Sequence, residues 1–349
     1  MNLKTLSAEQ RRQLIDTQQV YEAWRMAKRK AGHRFAGSMR WVNRNGKDYL
    51  LRKIGKTETS LGARNGETEA AYDAFVRGRE ENTGKLTGLA QRMDELAPVN
   101  VAMGLGRLPG IAARILRACD EHNLLGEHLI VVGTNALYAY EVMAGVQVDS
   151  GLVASGDIDL LFDARGHMSL AGSGITTGGL IGLLRTVDRS FAATGPRSFR
   201  AANRDGYLVD LIRPEARDVF RDALPASLTG LPDDLEGAAI FGLGWLVSTP
   251  RVEAAAVDER GYPARLAVID PRAFALHKAW VSARPDRDPL KSTRDLEQAR
   301  AAAAIATGYL KKSFDAPELK ALPNELRDLA PKLFANAGAS KKQSTTPNW

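Results

Sequence analysis

Two carboxylates two residues apart, Asp157 and Asp159, interrupt an otherwise apolar run from Gly156 to Phe162. On a strand, side chains alternate between faces, so both aspartates point one way while Ile158 and Leu160 point the other. Like charges held side by side repel each other. A fold gains nothing from such a pair unless a cation sits between them. Upstream, residues 128–135 read as a buried strand that stops at Gly133-Thr134 just before a helix. That turn offers what a triphosphate needs: close backbone approach, a hydroxyl donor and a helix N-terminus. Asp210, on the later strand Tyr207-Leu208-Val209-Asp210-Leu211-Ile212, is the natural third oxygen donor. Three carboxylates at the ends of adjacent strands predict a site for Mg2+ (or Mn2+), hard cations that prefer oxygen ligands and phosphate. Two such ions clamp the attacking and leaving oxygens of an in-line phosphoryl transfer.

The elements that must position these residues follow from periodicity and turn chemistry. The central module reads as strand 128–132, helix 135–144 and strand 157–162. A Gly- and Ser-rich flexible loop at 166–182 carries no Gly-Lys-Ser/Thr and so is not a P-loop; a helix over 179–193 follows. Phe199-Arg200-Ala201 and the Asp210 strand form a hairpin around Asn203-Arg204-Asp205-Gly206. Strand 266–269 leads into a helix over 270–283 with Asp270 as N-cap and Pro271 in its first turn. A further helix spans 290–308. The two C-terminal helices carry Lys278 and Lys291, candidates for neutralising nucleotide phosphates.

N-terminal to this module, residues 6–31 predict a helix with Ser7 and Gln10 as its capping pair. Residues 38–54 predict a β-hairpin about Asn45-Gly46. A polar loop from Gly55 to Gly66 and a helix over 67–96 come next. A domain boundary is expected near 97–110, then a helix over 111–122 with an apolar stripe.

The 349 residues, 44% of them apolar, suffice for roughly two domains. No apolar run is long enough to span a membrane, and the N-terminus lacks a signal-peptide layout. The single cysteine, Cys119, cannot form an internal disulfide and reads as a core thiol, which fits a cytoplasmic location. With five histidines and no paired His/Cys spacing, zinc is not indicated. The net charge of +7 is concentrated at the start, where residues 1–60 hold 14 Lys or Arg against 5 Asp or Glu. Such asymmetry points to a polyanionic partner.

Gly133-Thr134 on a strand–helix turn, Asp157-Ile158-Asp159 and the strand Asp210 together resemble the nucleotidyltransferase superfamily, with its polymerase-β-like fold. The run from Val132 to Glu141 is similar to a bacterial nucleotidyltransferase-like family of unassigned substrate. The resemblance extends from about residue 37 to 305. It takes in Arg40-Trp41, Tyr49-Leu50, Asp188-Arg189-Ser190-Phe191, Lys278, Arg287, Lys291 and Asp295. Thr134 stands where Ser or Gly is usual but keeps a hydroxyl. The long interval from Gly133 to Asp157 is closer to toxin-type members than to the minimal antibiotic-modifying or CCA-adding ones.

The resemblance implies an α+β fold: a polymerase-β-like core of mixed sheet flanked by helices, with an N-terminal helix and β-hairpin region and a C-terminal helical region. The expected divisions are a basic N-terminal region (1–105), a catalytic core (106–265), a C-terminal helical region (266–335) and a disordered tail (336–349). The implied activity is Mg2+-dependent transfer of an NMP from an NTP to a hydroxyl acceptor, with release of pyrophosphate. Asp157, Asp159 and Asp210 would be catalytic and metal-binding, and Gly133, Thr134, Lys278 and Lys291 nucleotide-binding. The acceptor would be RNA such as a tRNA, engaged by the basic N-terminal region, or a protein. A toxin-type enzyme of a toxin–antitoxin or defence system and a non-catalytic nucleotide-binding regulatory module are the alternatives.

Overall fold

The computed structural model describes residues 3–163, 178–216 and 226–334. The chain divides into two compact units, one of Arg12–Leu105 with Arg260–Pro263, the other of Met1–Arg11, Gly106–Glu259 and Ala264–Trp349. Among the described residues, no helix is long and apolar enough to cross a membrane.

Strand β1 (Lys4–Thr5) precedes helix α1 (Ala8–His33). The helix opens with the expected reciprocal cap: Gln10 N donates to Ser7 Oγ, and Ser7 N donates to Gln10 Oε1. In the unit that α1 enters, β2 (Ser38–Arg44) and β3 (Lys47–Ile54) form the predicted hairpin. Asn45 and Gly46 at its tip both have positive φ, 50° and 79°, as a type I′ turn demands. The expected polar loop is instead a third antiparallel strand, β4 (Thr57–Ala63), paired with β3. Helix α2 runs Gly66–Ala102, past the expected end and through Pro98, because Asn65 and Thr68 cap its start and its far end is tied down. The tie is Asn100, fully buried: its Nδ2 donates to Gly261 O, and its Oδ1 accepts from Gln13 Nε2 and Thr17 Oγ1.

The other unit is built on a mixed eight-stranded sheet. Its elements are α3 (Gly110–Glu121), β5 (Leu129–Val132), α4 (Ala136–Ala144), β6 (Val146–Gln147), α5 (Ser150–Val153) and β7 (Asp157–Phe162). Then come α6 (Gly179–Val187), β8 (Ala192–Ala193), β9 (Arg200–Ala202), β10 (Leu208–Pro214), β11 (Ala238–Ile240) and α7 (Leu243–Val247). The unit closes with β12 (Arg251–Val257), β13 (Pro263–Ile269), α8 (Pro271–Ser282), α9 (Pro289–Ala304), and the short α10 (Asn324–Arg327) and α11 (Ala330–Phe334). The strand order is β12-β13-β5-β7-β10-β9-β8, with β11 also paired to β10. All four residues of β5 and all seven of β13 are buried, as strands covered on both faces must be.

Helix α6 ends at Val187, six residues before the expected limit of 193. The cause is Asp188, whose Oδ1 accepts from Ser190 N and Oγ and so diverts the chain into a turn. The Gly-rich segment expected to be a flexible loop lies largely outside the described residues, and so does the C-terminal tail.

Candidate active site

Backbone register assembles the carboxylates. β7 and β10 are parallel with Asp159 directly beside Asp210 and Asp157 beside Leu208. β5 lies antiparallel on the other edge of β7, with Val132 opposite Asp159. Asp159 therefore stands between the end of β5 and Asp210. Gly133 follows at once, in the left-handed region at φ +63°. A Cβ at this position would fall inside the Asp159 carboxylate. Glycine is required twice here, by conformation and by close approach.

Burial holds the Asp159 carboxyl well above the ordinary aspartate range, at about 7. The negative charges of Asp157 and Asp210 add to this, while Lys278 and Arg200 pull it down. A carboxyl perturbed by both burial and like charge marks a place built for positive charge. Asp157 accepts from Ser155 Oγ. The Tyr207 hydroxyl is buried and among the described residues has no hydrogen-bond partner, its ionisation pushed up by burial and then by the charge of Asp157.

Gly133–Asn135 form one 3-10 turn that runs into α4, and neither Val132 nor Asn135, the residues at the two N-cap positions, caps the following N–H groups with its side chain. Asn135 Nδ2 donates to Asp157 O at 2.7 Å and so locks this turn to β7. Thr134 Oγ1 accepts from Gln298 Nε2 at 3.1 Å, and that amide also donates to Leu152 O at 2.7 Å. Both donor protons of Gln298 are thereby used. The hydroxyl proton of Thr134 is left for a further acceptor.

Asp210 is engaged differently. Its two oxygens accept from Arg200 Nε and Nη2 at 2.7 and 2.6 Å, a bidentate pair across the β9–β10 hairpin. Among the described residues, no group of three or more His, Cys, Asp or Glu is arranged to hold a metal as it stands. The oxygen-only donor set of Asp157, Asp159 and Asp210 nevertheless suits a hard divalent cation.

Lys278 on α8 donates to Asp295 Oδ1 at 2.6 Å, and Arg287 Nε donates to Asp295 Oδ2 at 2.7 Å. This pins α8 to α9, and Lys278 stays within electrostatic reach of Asp159. Lys291 is exposed on α9, and among the described residues its side chain has neither hydrogen bond nor ion pair. The fold thus brings together Asp157, Asp159, Asp210, Gly133 and Thr134, with Lys278 nearby, and does not draw in Lys291.

The site contains roles the sequence reading did not assign: Arg200 on Asp210, Gln298 on Thr134 and Asn135 on β7. Arg200 was within reach, because pairing residues 200–202 with 208–210 about the Asn203–Gly206 turn sets it opposite Asp210. Gln298 gave no such signal, since it depends on how α9 packs.

A family model described as nucleotidyltransferase matches residues 111–323, more than half of the chain. The chain belongs to the nucleotidyltransferase family. The match contains every site residue above, and family membership implies a nucleotide substrate. It begins after the hairpin residues Arg40-Trp41 and Tyr49-Leu50, which the resemblance had included. No curated protein and no solved structure matches the chain.

Proposed function

We propose that this nucleotidyltransferase has a polymerase-β-like core and transfers an NMP from an NTP to a hydroxyl of an RNA acceptor, releasing pyrophosphate. The observation that carries the reading is Asp159 seated in register between the Val132–Gly133 strand end and Asp210, with its carboxyl against the Gly133 backbone. Asp157, Asp159 and Asp210 would hold Mg2+ (or Mn2+), which when bound neutralises the triphosphate and polarises the reacting phosphorus.

The chain's own groups do the rest. Gly133 lets the Asp159 carboxylate lie against the backbone, and the 3-10 turn offers its N–H groups to phosphate. Thr134, fixed by Gln298, donates its hydroxyl proton to a phosphate oxygen. Lys278 adds positive charge as negative charge shifts toward the leaving pyrophosphate. Asp210 takes the proton that the acceptor hydroxyl gives up. The bond formed joins the acceptor oxygen to the α-phosphorus, and the bond broken is that to the α,β-bridging oxygen. The basic stretch 1–60 supplies charge complementary to RNA.

Incubation of cellular RNA and protein with each NTP, labelled in turn at the α- or γ-phosphate, tests the reading. The α-label should enter an RNA fraction and the γ-label should leave as pyrophosphate. Gamma-label in the acceptor would mean phosphoryl rather than nucleotidyl transfer, and α-label confined to protein would reject the RNA acceptor.

A further inference from the structure

We propose that Arg200 makes metal binding at this site conditional on nucleotide: it holds Asp210 until a triphosphate draws its guanidinium away. This rests on the reading that the three aspartates are the metal ligands. Both oxygens of Asp210 accept from Arg200 in a fork geometry. A divalent cation approaching Asp210 would have to displace those hydrogen bonds and stand against a fixed positive charge.

Three features make this pair a latch and not a buried brace. Arg200 and Asp210 are direct cross-strand partners, so the pair opens by side-chain rotation with no shift of backbone. The Asp210 side chain is 9% exposed but that of Arg200 is 37% exposed, so the arginine reaches solvent and can swing outward without repacking the core. The Phe199 ring, its centroid 5.3 Å from the Arg200 guanidinium carbon, gives it an aromatic support. A triphosphate is the partner that can compete, because its oxygens match the planar guanidinium fork as a carboxylate does and carry more charge. Arg200 then passes from carboxylate to phosphate, and Asp210 is released to the cation arriving with the nucleotide. The enzyme would take up the metal–nucleotide complex and bind the metal alone weakly.

Titration of the full-length protein with Mn2+, followed by the paramagnetic resonance of free ion, tests this directly. The titration is run alone and with the non-cleavable α,β-imido analogues of ATP, CTP, GTP and UTP in turn. In the wild type, the cognate analogue should tighten Mn2+ at least about tenfold. R200Q should bind Mn2+ alone about tenfold tighter than wild type, and its coupling to nucleotide should shrink to below about threefold. R200K keeps the charge but loses the fork and should fall between them; it also serves if R200Q does not fold by circular dichroism. Arginine variants that bind Mn2+ no tighter than wild type, while D159N still weakens it, would overturn the role of Arg200 alone. Unchanged Mn2+ binding in D159N would remove the metal reading and this proposal with it.

Discussion

At the scale of single residues, Gly133 and Asp159 are the centre of the proposed site. Gly133→Ala would force an L-residue to φ +63° and push a methyl into the Asp159 carboxylate. The backbone strain costs about 1–2 kcal/mol, and displacing the carboxylate by roughly an ångström should cost about 100-fold in transfer rate. A folded G133A protein that keeps its turnover would contradict this placement. The raised carboxyl of Asp159, at about 7, has a consequence for stability. Between its unfolded value and about 7 the folded form binds the extra proton, so stability of the metal-free protein falls as pH rises through that window. Melting curves from pH 5 to 8 should show wild type losing ground against D159N, and added Mg2+ should raise wild-type Tm more at pH 8 than at pH 6. Parallel curves for the two proteins would contradict the shift. The aspartates and Gly133-Thr134 were legible in the sequence because alternation and turn chemistry are local properties. Asn135 was hidden because its partner, the Asp157 carbonyl, belongs to another strand.

At the scale of elements, the site depends on α8 and α9 as much as on the sheet. Asp295, 3% exposed, accepts from Lys278 and Arg287 and joins the two helices. Asp295→Ala leaves two cations without their acceptor, and denaturant unfolding should show a loss of about 3 kcal/mol. A loss under about 0.5 kcal/mol, the range of ordinary surface changes, would mean that the pair is incidental. Gln298→Leu removes the donor that orients Thr134 and should raise KM for the NTP more than it lowers kcat. The helices and hairpins with capping boxes, Pro in a first turn or Asn-Gly turns were readable, since each signal lies within a few residues. Strand β4 was not. Its Thr-Glu-Thr-Ser sequence is almost wholly exposed and has no apolar face, so only pairing with β3 makes it a strand.

At the scale of the whole molecule, the chain joins a sheet-based nucleotidyltransferase unit to a second unit of helices and a three-stranded sheet. The second unit includes residues 260–263, a return that no composition shift announces and that Asn100 fixes by donating to the Gly261 carbonyl. The sheet order was likewise beyond sequence reading, because β13 pairs with β5 across more than a hundred residues. The excess of basic residues in 1–60 predicts that RNA affinity falls steeply between about 50 and 200 mM salt. Exchanging Arg44, Lys47, Lys53 and Lys56 for Gln should flatten that slope by about 0.7 for each phosphate no longer neutralised; an unchanged slope would place the acceptor elsewhere. In the proposed reaction Asp159 is the pivot of nucleotidyl transfer. Its most direct test is transfer of α-labelled nucleotide, with pyrophosphate release, by wild type and by the isosteric D159N at saturating Mg2+. A loss of at least about 1000-fold is expected, as for removal of a principal electrostatic group, with D159N still folded. Undiminished transfer by D159N would contradict it.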